Sequence, residues 1–303
     1  MRVLPHIRRA LDAGEPVVAL ESSVLAQGLP IPENADAARR MTSAVERAGA
    51  IPALTAVARG VATLGLNPDE LERFLKRDGV RKVSARDLGA AVSQGADGAT
   101  TVAAALALAN AAGVRVLATG GIGGVHRVFP GATSSARDES ADLLELAGTP
   151  MVVLCSGAKV ILDLPATWER LDTLGIPVVG VGTDELPGFY TARTGIRLDV
   201  TATDAAEVAA IASAHFALGR RQAVLVVQPP PPLAAMDRNE VERAVEAALR
   251  EAATSGVSGG AVTPFLLTSL ARQSGRKTLE VNLALLEANA RLAGEIAVAL
   301  ARR

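Results

Sequence analysis

The sequence predicts an α/β protein: a three-layer α/β/α arrangement with a mainly parallel central sheet and a helical C-terminal cap. Two observations carry this. Short apolar runs alternate with longer stretches of helical period. The runs are near-continuous Val, Leu, Ile and Ala, as in strands buried on both faces, and aromatics make up only 2% of the chain.

In order, 16–22 (PVVALES) reads as a buried strand. A helix over 32–50 follows, with Pro32 and Asn34 as start signals and Gly49 as a stop. Residues 51–57 form the next strand and 67–79 a capped amphipathic helix. The run 80–85 leads into a short helix. The stretch 98–113 (GATTVAAALALANAAG) reads as an Ala-rich helix with Thr100 and Thr101 in its first turn. Four further strands fall at 114–119, 151–157, 177–183 and 222–228, with helices at 138–148, 159–175, 204–219 and 237–256. The prolines of 228–232 form a rigid connector, and beyond about 233 the chain turns helical. One domain over 1–303 is expected, a length ample for a sizeable core.

Charge excludes some partners. With 31 basic and 32 acidic residues the net charge is −1, so no basic stripe for nucleic acid is expected. The single cysteine excludes an internal disulfide framework and a Cys-based zinc site. The N-terminus lacks a signal-peptide pattern and the apolar runs are too short for a membrane span, so a cytoplasmic location is expected.

Ligands of open α/β sheets gather beyond the carboxyl ends of the strands. Four segments at such ends are rich in functional side chains or glycine: 21–23 (ESS), 84–87 (SARD), 119–127 (TGGIGGVHR) and 156–159 (SGAK). Glu21, after an apolar run, is either a general acid or base or a salt-bridged strand end. The four glycines of 119–127 form either an anion-binding nest or an ordinary turn, and His126 and Arg127 tip the reading toward a site. Their spacing is not a dinucleotide fingerprint. His215, in an apolar helical pattern, reads as structural.

Thr100 and Thr101 at a helix start suit a phosphate or plain capping, with Lys82 as its countercharge or simply solvated. Asp138 and Asp142, four apart, would share a helix face, and oxygen ligands of this kind suit Mg²⁺ or Mn²⁺. Glu139 beside them serves the helix dipole. Lys159, at the start of the 159–175 helix, is opposed by the positive dipole end, which favours the neutral amine that attacks aldehydes. Cys155 reads as a small core residue.

These motifs, in order ALESSVLAQGLPIPEN, KVSARDL, GATTVAAALALA, TGGIGGVHR, DESADLLEL, CSGAKVILDLPAT, ELPGFY and TPFLL, resemble the pseudouridine-5′-phosphate glycosidase family, which includes relatives linked to indigoidine biosynthesis. The resemblance covers nearly the whole chain. It implies an α/β/α homotrimer that reversibly cleaves the C-glycosidic bond of pseudouridine 5′-phosphate, giving uracil and ribose 5-phosphate, with a divalent metal, typically Mn²⁺. It further implies Lys159 as nucleophile on C1′ through a Schiff base, Glu21 as proton donor and Asp138 as the metal holder through a water shell. Lys82, Val102, Ser140, Ala141 and Asp142 would line the sugar-phosphate site, with His126 beside the reacting ring.

Ser23, Gln27 and Leu29 stand where the family usually has Thr, His and Met, and the loop 128–137 is longer than usual. Gln27 cannot titrate, which leaves it hydrogen bonding alone. Two other readings are an enzyme acting on another C-ribosyl phosphate and a regulatory module in which Lys159 only pairs with phosphate.

Overall fold

The structure is a computed structural model that describes residues 1–127, 138–257 and 262–303. The 128–137 loop singled out in the sequence lies outside the described residues. The strands are β1 Arg2–Val3, β2 Val17–Leu20, β3 Ile51–Ala58, β4 Val61–Leu64, β5 Arg81–Val83 and β6 Gly98–Thr100, then β7 Val116–Ala118, β8 Val152–Cys155, β9 Val178–Val181, β10 Val200–Ala202 and β11 Val224–Val227. The main path runs β1-β4-β3-β2-β7-β8-β11-β9-β10, and every pair along it is parallel except β3–β4. β6 joins β3 antiparallel and pairs with β5 in parallel.

The six runs read as strands at 16–22, 51–57, 114–119, 151–157, 177–183 and 222–228 all contain one. β1, β4, β6 and β10 were not expected, because two to four residues, most of them mixed with Gly, Thr or Ala, lack a clear period.

The helices are α1 Pro5–Asp12, α2 Glu33–Arg47, α3 Pro68–Lys76, α4 Leu88–Ser93, α5 Val102–Ala111, α6 Ala141–Gly148, α7 Leu164–Thr173, α8 Ala205–Ala217, α9 Arg238–Thr254, α10 Val262–Ser274 and α11 Lys277–Ala301. α5 and α11 both pack on β2 and β7, with α6 beside α5 and with α2 and α8 beside α11. All four residues of β2, and all of β7, are buried, as strands covered on both faces must be.

Three helix starts move from their expected places, and each move matters for the site. Gly98–Thr100 is a strand, and Thr101 is the N-cap of α5, accepting a bond from the Ala104 N–H. Ser140 caps α6, so Asp138 and Glu139 precede the helix and share no helical face with Asp142. Asp163 caps α7 at Leu164. The C-terminal helices form beyond 233 as expected, and α11 covers the sheet. It lies against β2, β7 and β8 and contributes Leu285, Leu286 and Asn289 to the buried interior. Among the described residues no helix is long and apolar enough to cross a membrane.

Candidate active site

Parallel register sets the site. Leu20 of β2 pairs with Ala118 of β7, and Ala118 pairs with Leu154 of β8. The next residues, Glu21 and Thr119, therefore leave the sheet side by side at its carboxyl edge. Glu21 is buried, 5% exposed, and both its oxygens are occupied: the Thr119 hydroxyl donates to Oε1 and the Ser23 hydroxyl to Oε2. A buried carboxylate needs such partners, and hydroxyls supply them here without neutralising it by a cation. The salt-bridge reading of Glu21 has no support in its contacts.

Beyond Thr119 the chain does not turn away. Ile122 bridges to Ala158, and His126 bridges to Leu162, so 120–126 prolongs β7 irregularly beside the prolonged end of β8. The amides of Ile122, Gly123, Val125 and His126 go to Gly157 O, Asp142 Oδ2, Thr167 Oγ1 and Asp138 O. These four are committed within the protein and cannot cradle an anion. The glycines serve close packing instead. A Cβ on Gly123 would run into the Ser140 hydroxyl, and one on Gly121 into the Phe189 ring.

Lys159 does not begin a helix. It follows Gly157, whose φ of +85° is open to glycine, and sits half-buried in the turn that leads to α7 five residues later. The opposition to a helix dipole expected for it does not arise. Its backbone is held by Lys159 N–H to Ile122 O, 3.0 Å, and by Leu162 N–H to Lys159 O, 3.0 Å.

Lys82, in β5, lies next to the start of α5, where the Thr101 N–H bonds Val83 O. Its side chain is exposed by surface area, yet enough protein crowds the ammonium to lower its pKa, with the charge of Lys159 as the next cause and Glu21 and Asp142 opposing. The surface value describes the whole residue and the crowding its tip, and the tip is the part that meets a ligand. His126 is lowered too, first by burial, with Asp138 opposing and Lys159 and Lys82 adding to it. The imidazole is thus neutral near pH 7. These mutual influences bring Glu21, Lys82, His126, Asp138, Asp142 and Lys159 into one neighbourhood.

Other residues named from the sequence have different places. Thr100 is fully buried, with its hydroxyl bonded to Thr55 and Ser22, so it reaches no ligand. Asp142 is 4% exposed and accepts the Ala103 and Gly123 N–H groups at 2.9 and 2.8 Å, tying α5 to the glycine run. Asp142 and Thr101 take the Ala103 and Ala104 amides, and among the described hydrogen bonds the first amides of α5 and α6, on Val102 and Ala141, remain without a protein acceptor.

Glu139 pairs with Arg170, 2.9 Å, rather than serving a helix dipole. Gln27 is exposed, with a 3.4 Å bond to Val80 O. Burial pushes the Cys155 thiol up to about 12, so it is inert. His215 bonds Gln222 O at 3.0 Å, a structural role.

Thr119 and Asn289 were not picked out from the sequence. Buried Asn289 of α11 donates to Thr119 O at 2.9 Å and accepts from Gln228 at 2.8 Å, joining the ends of β7 and β11. Thr119 had a signal, as the first polar residue after a strand; Asn289, deep in a helical pattern, had none.

Asp138 is 65% exposed at the mouth, 4.0 Å from His126 Nε2. No group of three His, Cys, Asp or Glu that could enclose an ion occurs among the described residues. A single exposed carboxylate fits a hard cation that keeps most of its water. A cavity of about 570 Å³ lies behind the Lys159 turn, lined by Arg127, Val160, Asp163, Arg238 and Glu242. Neither Lys159 nor Glu21 lines it, so the convergent polar groups, and not this cavity, mark the site.

The family model described as indigoidine synthase A like protein matches residues 6–299. The chain is 58% identical to a protein of Gemmatimonas aurantiaca named pseudouridine-5′-phosphate glycosidase, over 99% of this chain and 96% of that one. A protein of the same name from Myxococcus xanthus is 49% identical over 100% and 99%. The structure is similar to that of the prealnumycin C-glycosynthase AlnA in complex with ribulose 5-phosphate. There the TM-score is 0.90 at 39% identity, with 99% of this chain and 96% of that one covered.

Proposed function

The chain belongs to the indigoidine synthase A like family, and on that premise we propose that it cleaves and re-forms the C-glycosidic bond of pseudouridine 5′-phosphate, giving uracil and ribose 5-phosphate. It is an enzyme, as its curated relatives are named. The observation that carries the reading is a buried carboxyl group and a half-buried lysine beyond the carboxyl ends of β2 and β8, the two strands that flank β7.

A C-nucleoside has no leaving oxygen for a pair of carboxylates to protonate, so carbon must leave. The neutral amine of Lys159 attacks C1′ while the C1′–O4′ bond breaks, and the amine's surplus proton passes to O4′. The nitrogen lone pair then forms C1′=N⁺ as the C1′–C5 bond breaks, and Glu21 delivers a proton to C5 of uracil. Water adds to the iminium and releases ribose 5-phosphate and the free amine. Thr119 and Ser23 hold the Glu21 carboxyl group in place throughout. Neutral His126 borders the reacting ring without adding charge.

The phosphate end is assigned to Lys82 and to the first amides of α5 and α6, on Val102 and Ala141, beside Thr101 and Ser140. Asp142 keeps these two helix starts together. Asp138 would hold Mn²⁺ or another divalent cation largely through water, and the bound ion supplies positive charge against the substrate's phosphate. A homotrimer and a cytoplasmic location complete the proposal.

Purified protein incubated with uracil, ribose 5-phosphate and Mn²⁺ is expected to yield a C-nucleotide, and pseudouridine 5′-phosphate to be cleaved. Failure of both excludes the reading. The AlnA likeness favours one alternative, another C-ribosyl or C-glycosyl phosphate as substrate. It predicts turnover with a different base or ring when uracil fails.

A further inference from the structure

Arg127 has an unusual set of partners for a residue beside a candidate active site. Its Nε donates to Leu162 O at 3.0 Å and its Nη2 reaches Val160 O at 3.5 Å. The same guanidinium is paired with both carboxylate oxygens of Glu242 on α9, through Nη1 and, at 3.0 Å, through Nη2. Val160 and Leu162 belong to the turn that carries Lys159, and that turn closes through Leu162 N–H to Lys159 O. The peptide of Asp163, at its far end, is bonded to Val125 O. One planar fork therefore holds two carbonyls of the lysine turn and is itself held by a carboxylate from the C-terminal helices.

We infer that Arg127 is a positioning residue that sets where the Lys159 amine stands, with Glu242 of α9 as its anchor. This rests on the reading of Lys159 as the nucleophile. A turn of five residues without regular structure needs external donors for its carbonyls. A guanidinium supplies several donors in one rigid plane, which a lysine ammonium does not. Bidentate pairing with Glu242 fixes that plane, and charge-assisted bonds of this kind are stronger than neutral ones. The pairing holds the Glu242 carboxyl group below its usual range, mainly through the bond from Arg127 and against burial, as a persistent partnership requires. Small displacements of a nucleophile cost heavily in rate, so the effect belongs in kcat.

The test uses the full chain and pseudouridine 5′-phosphate. Arg127→Ala is expected to lower kcat by roughly 10- to 100-fold, with KM for the substrate changed less than about threefold. Because Arg127 lines the cavity behind the turn, added guanidinium is expected to restore part of kcat in Arg127→Ala. Borohydride trapping of ribose 5-phosphate on Lys159 should slow in parallel.

Arg127→Lys should recover little, and Glu242→Gln should show an intermediate loss of kcat. A kcat within twofold of the parent in Arg127→Ala, or a loss confined to KM, overturns the inference. If Arg127→Ala does not fold, unchanged kcat in both Arg127→Lys and Glu242→Gln overturns it. The reading beneath fails separately: turnover that survives in Lys159→Ala removes the nucleophile, whatever the Arg127 variants do.

Discussion

The hydroxyl of Thr119 donates to Oε1 of Glu21, although 98 residues separate them in the chain. Parallel pairing of β2 with β7, Leu20 opposite Ala118, makes this contact unavoidable once the sheet forms. Since the Ser23 hydroxyl holds the other oxygen, Glu21 is oriented from both sides. Thr119→Val removes one donor and leaves a buried oxygen unpaired, at a cost of about 1–3 kcal/mol. Thermal unfolding should show that loss, and kcat should fall roughly tenfold. A variant with parental kcat would show that the acid does not depend on Thr119 for its orientation.

Lys159→Ala is expected to abolish turnover while circular dichroism stays unchanged, because the bonds that fix the turn, to Ile122 O and from the Leu162 N–H, are made by the backbone and survive the truncation. Mass spectrometry after borohydride treatment with ribose 5-phosphate should find an adduct in the parent and none in the variant. Adduct formation at another lysine would move the nucleophile.

Lys82 yields a pH prediction. Crowding by protein and the charge of Lys159 lower its pKa, so its positive charge is present at low pH and is lost, as pH rises, earlier than for an ordinary lysine near 10.4. KM for the phosphorylated substrate should therefore rise with pH below that range. Lys82→Arg, charged throughout, should flatten the rise. The same rise persisting in Lys82→Arg assigns it to another group.

Asp138 stands exposed at the mouth, with His126 as its near neighbour. Asp138→Asn is expected to weaken Mn²⁺ activation by about 10- to 100-fold in the metal concentration needed, as losses around a metal site commonly do. Titration of activity with Mn²⁺ after chelator treatment measures this. An unchanged midpoint excludes Asp138 as the holder.

Gly123→Ala forces a methyl group against the Ser140 hydroxyl that caps α6 and against Asp142 Oδ2. Overpacking of this kind costs about 1–3 kcal/mol. Chemical denaturation should report it as a lower midpoint with an unchanged slope. Parental stability would mean that α6 shifts freely, and the clamp by Asp142 would then carry little weight.

Much of this arrangement is legible before folding. Runs such as Val152–Cys155 announce buried strands because a sheet covered on both faces takes four apolar residues in succession. The rule that ligands gather at the carboxyl ends of strands then draws attention to Glu21 and to Lys159. Helix starts were less legible. Thr101, Ser140 and Asp163 are good caps, but several other residues nearby could also have served, and only the observed hydrogen bonds choose among them.

The sequence by itself determined the β-α alternation, the aliphatic core and the functional side chains that stand just past the strand ends, since these depend on local period and composition. Tertiary structure alone decided that Thr100 and the glycine run serve packing, that Asp142 ties α5 to Gly123, and that Asn289 of α11 reaches Thr119. The physical reason is that a polar group's role depends on which partner satisfies it. Those partners come from strands and helices far away in the chain, brought together only by the register of the sheet.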